Sequence, residues 1–361
     1  MENSSVQEPL YVSLSHKIEE EVASDVFKPG DKMYAIGELC EKFQVSTTTA
    51  VRCVNLLKVK GVLKSIPRKG TFVSGISKMD LPADSINEEL TRIVVFKQKP
   101  LIGQLSFPER ICRGIMEDAH LNGLSLSFRD FAKSSLSGID MVPLTPAVDE
   151  GIIVISAKPP QALLPLLSAS GVRRVVVDAL LPYAPCVVTD NRDGVFQVVD
   201  YLRTLGHRHI GFAQRVVSPP NQTNENERRE AFIHFADGMG LKYTLFGDLS
   251  MEDLVGSFLN SGDKPTAMVF TRDDPAVAFM KAVEAVGVKV PEDVSVTGFD
   301  DFSLLNADLS GLTTIRVDCE EMGRRASQCL REFTKDTEAF SPWIRVKCGL
   351  IARRSAAAPK K

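Results

Sequence analysis

The sequence predicts an α/β protein: an N-terminal winged helix-turn-helix, then two lobes that are each a parallel sheet flanked by helices. Three observations carry that class. Residues 42–78 hold eight Lys or Arg and no Asp or Glu, whereas residues 1–41 hold nine acids against Lys17, Lys28 and Lys32. Within the basic block a polar helix start, Ser46-Thr47-Thr48-Thr49, is followed by Gly61 and then by Arg68-Lys69-Gly70-Thr71-Phe72-Val73, a short basic hairpin. Beyond residue 91, short β-branched apolar runs alternate with helical patterns, as strands buried on both faces of a parallel sheet do.

Residues 1–9 are polar and expected to be disordered. Leu14, Ile18 and Val22 recur every four residues around Glu19-Glu20-Glu21, which predicts a first helix to about Asp25. Lys28-Pro29-Gly30-Asp31 is a turn. A second helix is expected near 36–43 with Leu39, Cys40 and Phe43 inward, and a third over 47–60 with Ser46 as its N-cap. On the third, Ala50, Cys53, Val54 and Leu57 make the apolar stripe, which leaves Thr47, Thr48, Arg52 and Asn55 outward. Val62–Lys64 and Thr71–Val73 then pair as a wing across the Pro67–Gly70 turn. Ser74–Leu90, with Gly75, Pro82 and Asp84-Ser85, reads as a linker. Strands follow at Arg92–Phe96, Gly151–Ile155, Val172–Asp178, Cys186–Thr189, His209–Ala213, Thr266–Phe270 and Val294–Phe299. Helices are expected at 107–122, 161–169, 193–205, 226–239 and 275–286. The division is 1–75, a linker over 76–90, and 91–356. Ligand is expected in the second part, outside the carboxyl ends of its strands.

A capped helix beside a basic hairpin is how a small domain sets one element in a DNA groove and clips the backbone next to it. A solvated basic face is the alternative, and the order of charge, cap and hairpin favours nucleic acid over it. The rest of the composition excludes several classes. The chain has 361 residues, 44% hydrophobic and 25% charged, as ordinary globular proteins are. No apolar run approaches eighteen residues and no leader pattern is seen, so a cytoplasmic protein is expected. Seven scattered cysteines lack a C-x-x-C pair and read as small buried hydrophobes. His207-Arg208-His209 places two imidazoles on one strand face, but no further metal-ligand cluster accompanies them, and no metal or cofactor is expected. Nucleophile elbows, phosphate loops and dinucleotide fingerprints are absent, so no enzyme is expected.

The first 75 residues resemble the DNA-binding domain of the GntR family. The resemblance rests on Lys28-Pro29-Gly30-Asp31, Glu38-Leu39, Val45-Ser46, Leu57-x-x-x-Gly61 and Lys69-Gly70-Thr71-Phe72-Val73. Residues 92–356 resemble the effector domain of LacI/GalR repressors, itself similar to periplasmic sugar-binding proteins. Here the motifs are Thr189-Asp190-Asn191-x-x-Gly194, Leu205-Gly206-His207-Arg208-x-Ile210-Gly211-Phe212, Arg228-x-x-x-Phe232, Pro265-Thr266-Ala267, Val290 to Asp301, Leu312-Thr313-Thr314-Ile315 and Arg353-x-Ser355. The pairing resembles arabinose-repressor-like regulators. It implies a repressor that binds double-stranded DNA at an inverted repeat as a homodimer and senses a carbohydrate or sugar acid. The alternative is a sugar-binding protein of the periplasmic type whose N-terminal domain no longer reads DNA specifically.

For DNA the candidates are Ser46, Thr47, Thr48, Arg52, Asn55, Arg68, Lys69, Gly70 and Thr71. The arginines usual in GntR readers are replaced here by Gly37, Thr47 and Val51, and the usual Leu-Pro-Ser before the second helix by Met33-Tyr34-Ala35. By position against the LacI-type motifs, Phe107, Asp178, Arg228, Arg272 and Asp300 are the candidates for the effector. Carboxylates and guanidinium forks bind paired hydroxyls bidentately, and an aromatic face covers the apolar side of a sugar ring. Arg272 stands where an Asn is common, and a second arginine favours an acidic ligand unless Asp273 or Asp274 pairs with it. Asp300→Ala is expected to bind DNA and ignore the effector, while Asp301→Ala is expected to respond nearly as wild type.

Overall fold

The structure, a computed structural model, describes residues 10–23, 27, 31–59, 62–66, 70–73, 89–98, 107–131, 146–160, 163–169, 171–181, 184–214, 223–247, 249–301, 311–334, 337 and 342–360. Three helices, α1 (Leu10–Ala23), α2 (Ile36–Phe43) and α3 (Thr47–Val59), precede a hairpin of β1 (Leu63–Ile66) and β2 (Gly70–Val73). The hairpin is antiparallel, with Leu63 opposite Val73 and Ile66 opposite Gly70. Leu14, Ile18, Leu39, Ala50, Cys53, Val54, Leu57, Leu63 and Val73 make the core of this small unit, so the expected apolar stripe of α3 is the buried one. Ser46 caps α3, its Oγ accepting the Thr49 amide at 3.2 Å. Gly70 sits at φ +119°, a backbone state that side-chain-bearing residues rarely adopt. The polar residues 1–9, the wing turn with Arg68 and Lys69, and the linker stretch 74–88 lie outside the described residues.

Two six-stranded sheets follow. The first has the order β13-β7-β6-β5-β3-β4 and is parallel throughout. It comprises β3 (Arg92–Gln98), β4 (Ser125–Phe131), β5 (Glu150–Ile155), β6 (Arg173–Val177), β7 (Cys186–Thr189) and β13 (Trp343–Val346). The second, β14-β12-β11-β10-β8-β9, comprises β8 (His209–Ala213), β9 (Lys242–Phe246), β10 (Ala267–Phe270), β11 (Ser295–Asp300), β12 (Thr313–Val317) and β14 (Cys348–Ile351). Only β14 in this sheet runs antiparallel, against β12. Flanking helices are α4 (Phe107–Leu121), α5 (Leu164–Ser168), α6 (Asn191–Leu205), α7 (Thr223–Gly238), α8 (Met251–Asn260), α9 (Asp273–Ala285) and α10 (Cys319–Arg331).

Every strand read from the sequence is present. Among the elements not read from the sequence, two edge strands and one helix carry mixed patterns that hide them. The edge strands β4 and β9 are half-exposed, so polar residues dilute their apolar runs. Helix α10 carries Glu320, Glu321, Arg324, Arg325 and Arg331 among its more exposed residues and buries Cys319, Met322, Gly323, Ala326, Ser327, Cys329 and Leu330, a set of mostly small residues.

The chain crosses between the lobes three times: from β7 into α6, from β12 into α10, and from β13 into β14. Although α10 follows a strand of the second sheet, it packs on α4 and on strands of the first. Two glycines permit that approach. A Cβ on Gly114 would lie 1.8 Å from the Glu320 carbonyl oxygen, and one on Gly323 would lie 2.1 Å from that of Ile111. A single apolar cluster therefore runs from Ile93 and Ile153 of the first lobe through Val195, Met322 and Ala326 to Ile210 and Ile315 of the second. The winged unit touches the first lobe through Leu56 and Tyr11, which join the cluster of Val94, Phe96, Ile152 and Val176.

Candidate functional site

Two regions collect the candidate residues. On α3 the face opposite the core carries Thr47, Thr48, Val51, Arg52 and Asn55, all exposed. Positions 47, 48, 51, 52 and 55 are related by three- and four-residue steps, which makes them one surface of the helix. Ser46 lies at the helix start, its hydroxyl engaged as the cap. Gly70 is exposed and Thr71 half-buried at the head of β2.

The second region lies where strands of both sheets end. Asp178 follows β6 of the first lobe; Asp300 ends β11 and Arg272 follows β10, both in the second. Arg228 lies on α7, one turn after Asn224. Its guanidinium is buried, and each of its three nitrogens donates a hydrogen bond: Nε to Asn191 Oδ1 at 2.8 Å and Nη1 to the Thr271 carbonyl at 2.5 Å. Nη2 donates to Asp300 Oδ1 at 3.3 Å, and the plane lies 3.6 Å from the Phe299 ring centre, a cation–π contact. Asn224 Nδ2 donates to Asp178 Oδ1 at 2.7 Å, so a side chain of the second lobe holds a carboxylate of the first. Asn191, at the β7–α6 crossing, donates to Asn224 Oδ1 at 3.2 Å and to Glu227 Oε2 at 2.9 Å.

Burial dominates the electrostatics here. Removal from water raises the Asp178 carboxyl to about 7, against the opposing pull of Arg228. Asp300 is raised for the same reason, with Arg228 and then Arg272 opposing. Burial also raises Glu225, on the first turn of α7. Asp178 and Asp300 have φ of +73° and +109°. Left-handed conformations at residues other than glycine cost on the order of 1–3 kcal/mol and persist where surrounding contacts over-determine them, commonly at ligand clamps.

The structure thus brings Asp178, Arg228 and Asp300 into one network. Phe107 opens α4 and is half-buried against the central apolar cluster. Arg272 is half-exposed and pairs with Asp274 at 3.3 Å, the neutralising contact that competes with a role toward an acidic ligand. Asn191, Asn224, Glu225, Thr271 and Phe299 join the network unforeseen. Asn224 had a usable signal, since it precedes Arg228 by four residues and so shares its helix face.

Two expectations are corrected. His207 lies before β8, not on one strand face with His209, and both its ring nitrogens are engaged, with Thr266 Oγ1 at 2.8 Å and the Ala357 carbonyl at 2.9 Å. Asp301 is no bystander: its buried carboxylate accepts from Arg316 at 2.7 Å and Arg353 at 2.8 Å, tying β11 to β12 and to the C-terminal segment.

Comparison with known proteins bears on both regions. Residues 10–73 match the family described as bacterial regulatory proteins, gntR family, and residues 199–356 match the periplasmic binding protein-like domain. The arabinose metabolism transcriptional repressor of Geobacillus stearothermophilus is 27% identical over 342 residues, covering 89% of this chain and 90% of that protein. The HTH-type transcriptional repressor PurR of Haemophilus influenzae is 25% identical over 341 residues, covering 90% and 98%. Among solved structures, a LacI-family regulator from Weissella paramesenteroides with bound glucose aligns with TM-score 0.59 at 22% identity, covering 74% of this chain and 98% of that one. A LacI regulator from a Rhodococcus species aligns with TM-score 0.60 at 23% identity, covering 76% and 100%.

Proposed function

We propose that this chain, a GntR-type winged-helix reader joined to a LacI/GalR-type effector domain, is a ligand-responsive transcriptional repressor that works by binding, without covalent chemistry, in the cytoplasm. Residues 1–75 read an operator, 76–90 link, and 91–356 sense a small molecule and dimerise. The observation that carries the reading is the buried polar network between the lobes. Asn224 of one lobe holds Asp178 of the other, and Arg228 and Asp300 lie beside them. A ligand that contacts both sides gives the closed arrangement an affinity the open one lacks, the requirement for any population shift.

The ligand class follows from the charge balance. Asp178, Glu225 and Asp300 face Arg228 and Arg272, and Arg272 is already paired with Asp274. That balance favours a neutral, hydroxyl-rich molecule over a sugar acid, and a neighbour in fold was crystallised with glucose. Phe107, Asp178, Arg228, Arg272 and Asp300 are the effector contacts. Ser46, Thr47, Thr48, Arg52, Asn55, Arg68, Lys69, Gly70 and Thr71 are the DNA contacts. The exposed face of α3, set within the acid-free block 42–78, favours this regulator over a sugar-binding protein with a vestigial N-terminal domain. A homodimer on an inverted repeat accounts for Met116, Leu121 and Phe128, large apolar side chains left exposed on α4 and β4 at one edge of the first lobe.

The test is a thermal-shift screen of neutral sugars and sugar acids, followed by titration of each hit into the protein–promoter complex. A true ligand at a hundred times its dissociation constant adds about 2.7 kcal/mol of stability. A neutral sugar that raises the melting temperature and changes operator affinity is the expected result. A hit that leaves DNA affinity unchanged overturns the reading.

A further inference from the structure

The recognition helix carries an apolar residue at the centre of its exposed face. Val51 is 39% exposed, and among the described residues of the winged unit the other large hydrophobic as exposed is Leu10, at the very start of α1. Folding gives no reason for Val51. It faces away from Ala50, Cys53, Val54 and Leu57, which form the buried stripe, and a β-branched residue at a solvent-facing helical position is a poorer helix former than Ala, Lys or Gln. Its surroundings say what it meets. One turn back stand Thr47 and Thr48, one turn on stands Asn55, and Arg52 is adjacent, all exposed. No carboxylate occurs anywhere in residues 42–78, which carry eight bases. An uncharged, methyl-bearing centre ringed by hydroxyls, an amide and a guanidinium complements the floor of a major groove and not another protein's apolar patch.

In that groove the thymine C5-methyl is the group that apolar side chains recognise, while an Asn amide matches the N6 and N7 of adenine. Resting on the DNA-binding reading above, we propose that Val51 is a specificity-determining residue of the reader. Its γ-methyl groups pack on a thymine C5-methyl, and Asn55 meets adenine further along the helix. The half-site is then specified through A·T pairs at its centre rather than through guanine.

The experiment uses the full chain. Duplexes are selected from a random library, and the winner is resynthesised with deoxyuridine for thymine at each position in turn. Deoxyuridine keeps every hydrogen-bonding edge and removes only the methyl group. Burial of one methyl corresponds to roughly a fourfold change in affinity per half-site, so a symmetric duplex substituted in both halves should bind about fifteenfold more weakly. Val51→Ala should bind the thymine duplex that much more weakly than wild type and bind the thymine and deoxyuridine duplexes alike. Because Val51 is exposed and Ala favours helix, an unchanged melting temperature is expected alongside. Full sensitivity to deoxyuridine in Val51→Ala, or a selected half-site without central A·T pairs, overturns the role of Val51 while leaving the DNA reader intact. Failure to enrich any duplex overturns both.

Discussion

On the recognition helix Thr47, Thr48, Val51, Arg52 and Asn55 all stand in solvent, whereas in the cleft Arg228 and Asp300 are buried and Asp178 half-buried, each bonded to another of them or to Asn191, Asn224 and Thr271. The difference lies in what each partner demands. A DNA groove is wide, hydrated and polyanionic, so its reader can be an open surface whose residues contribute little to the fold. A small polar ligand must be taken from water, so its site is an enclosed set of polar groups that satisfy each other until it arrives. Substitutions on the reader should therefore move DNA affinity and leave stability alone. Substitutions in the cleft should move effector affinity, and stability as well where they leave a buried charge without its partner.

The sharpest way to break that contrast is to remove residues 1–75. DNA affinity should fall by at least about a thousandfold, the lower end of the advantage of a specific over a nonspecific complex, while the effector still raises the melting temperature. Retention of operator binding in gel shifts would place the reader elsewhere.

Next in size is the pair Asp301 and Asp300. Asp301→Ala leaves Arg353 and Arg316 without their shared acceptor. Breaking a buried pair costs about 3–5 kcal/mol, and because Arg316 is half-exposed a loss of about 2–3 is expected in denaturant unfolding. Asp300→Asn tolerates the left-handed backbone that Ala would strain. It should unfold nearly as wild type, keep DNA binding and lose about 1.5–3 kcal/mol of effector affinity by calorimetry. Equal effector affinity in Asp300→Asn and wild type would move the ligand out of this cleft.

The pH dependence is a smaller effect. Burial holds Asp178 near 7 in the folded chain against 3.8 ordinarily, so between those values the folded state binds more protons than the unfolded state. Stability of the free protein should then fall as pH rises from about 4 to 7, and Asp178→Asn should flatten that slope in thermal melts. Ligand hydroxyls donate to the carboxylate, so effector affinity should rise across the same window, with proton release on binding. A pH-independent affinity would exclude Asp178 from ligand contact. The smallest expected effect is on the reader: Arg52→Ala should lower DNA affinity about equally on all sequences and reduce the salt slope by about one phosphate contact. An altered melting temperature would show that the reader is not energetically separate from the fold.

What the sequence determined was periodic or chemical in a short span. The stripe Ala50, Cys53, Val54 and Leu57, the strand runs of both sheets and the acid-free basic block are local patterns, because burial on one face imposes its own repeat. The positions of Asp178, Arg228 and Asp300 at element junctions were legible too, through motifs that surround them. What only tertiary structure decided was pairing. Nothing near Arg228 in sequence says that its three donors go to Asn191, Thr271 and Asp300, and nothing near Asp301 announces Arg316 and Arg353. Likewise α10 follows the second sheet in sequence yet packs on the first lobe, because Gly114 and Gly323 let two helices approach where any side chain would collide. Partners distant in sequence meet only when the chain has closed its loops, and a buried charge takes whichever partner that closure supplies.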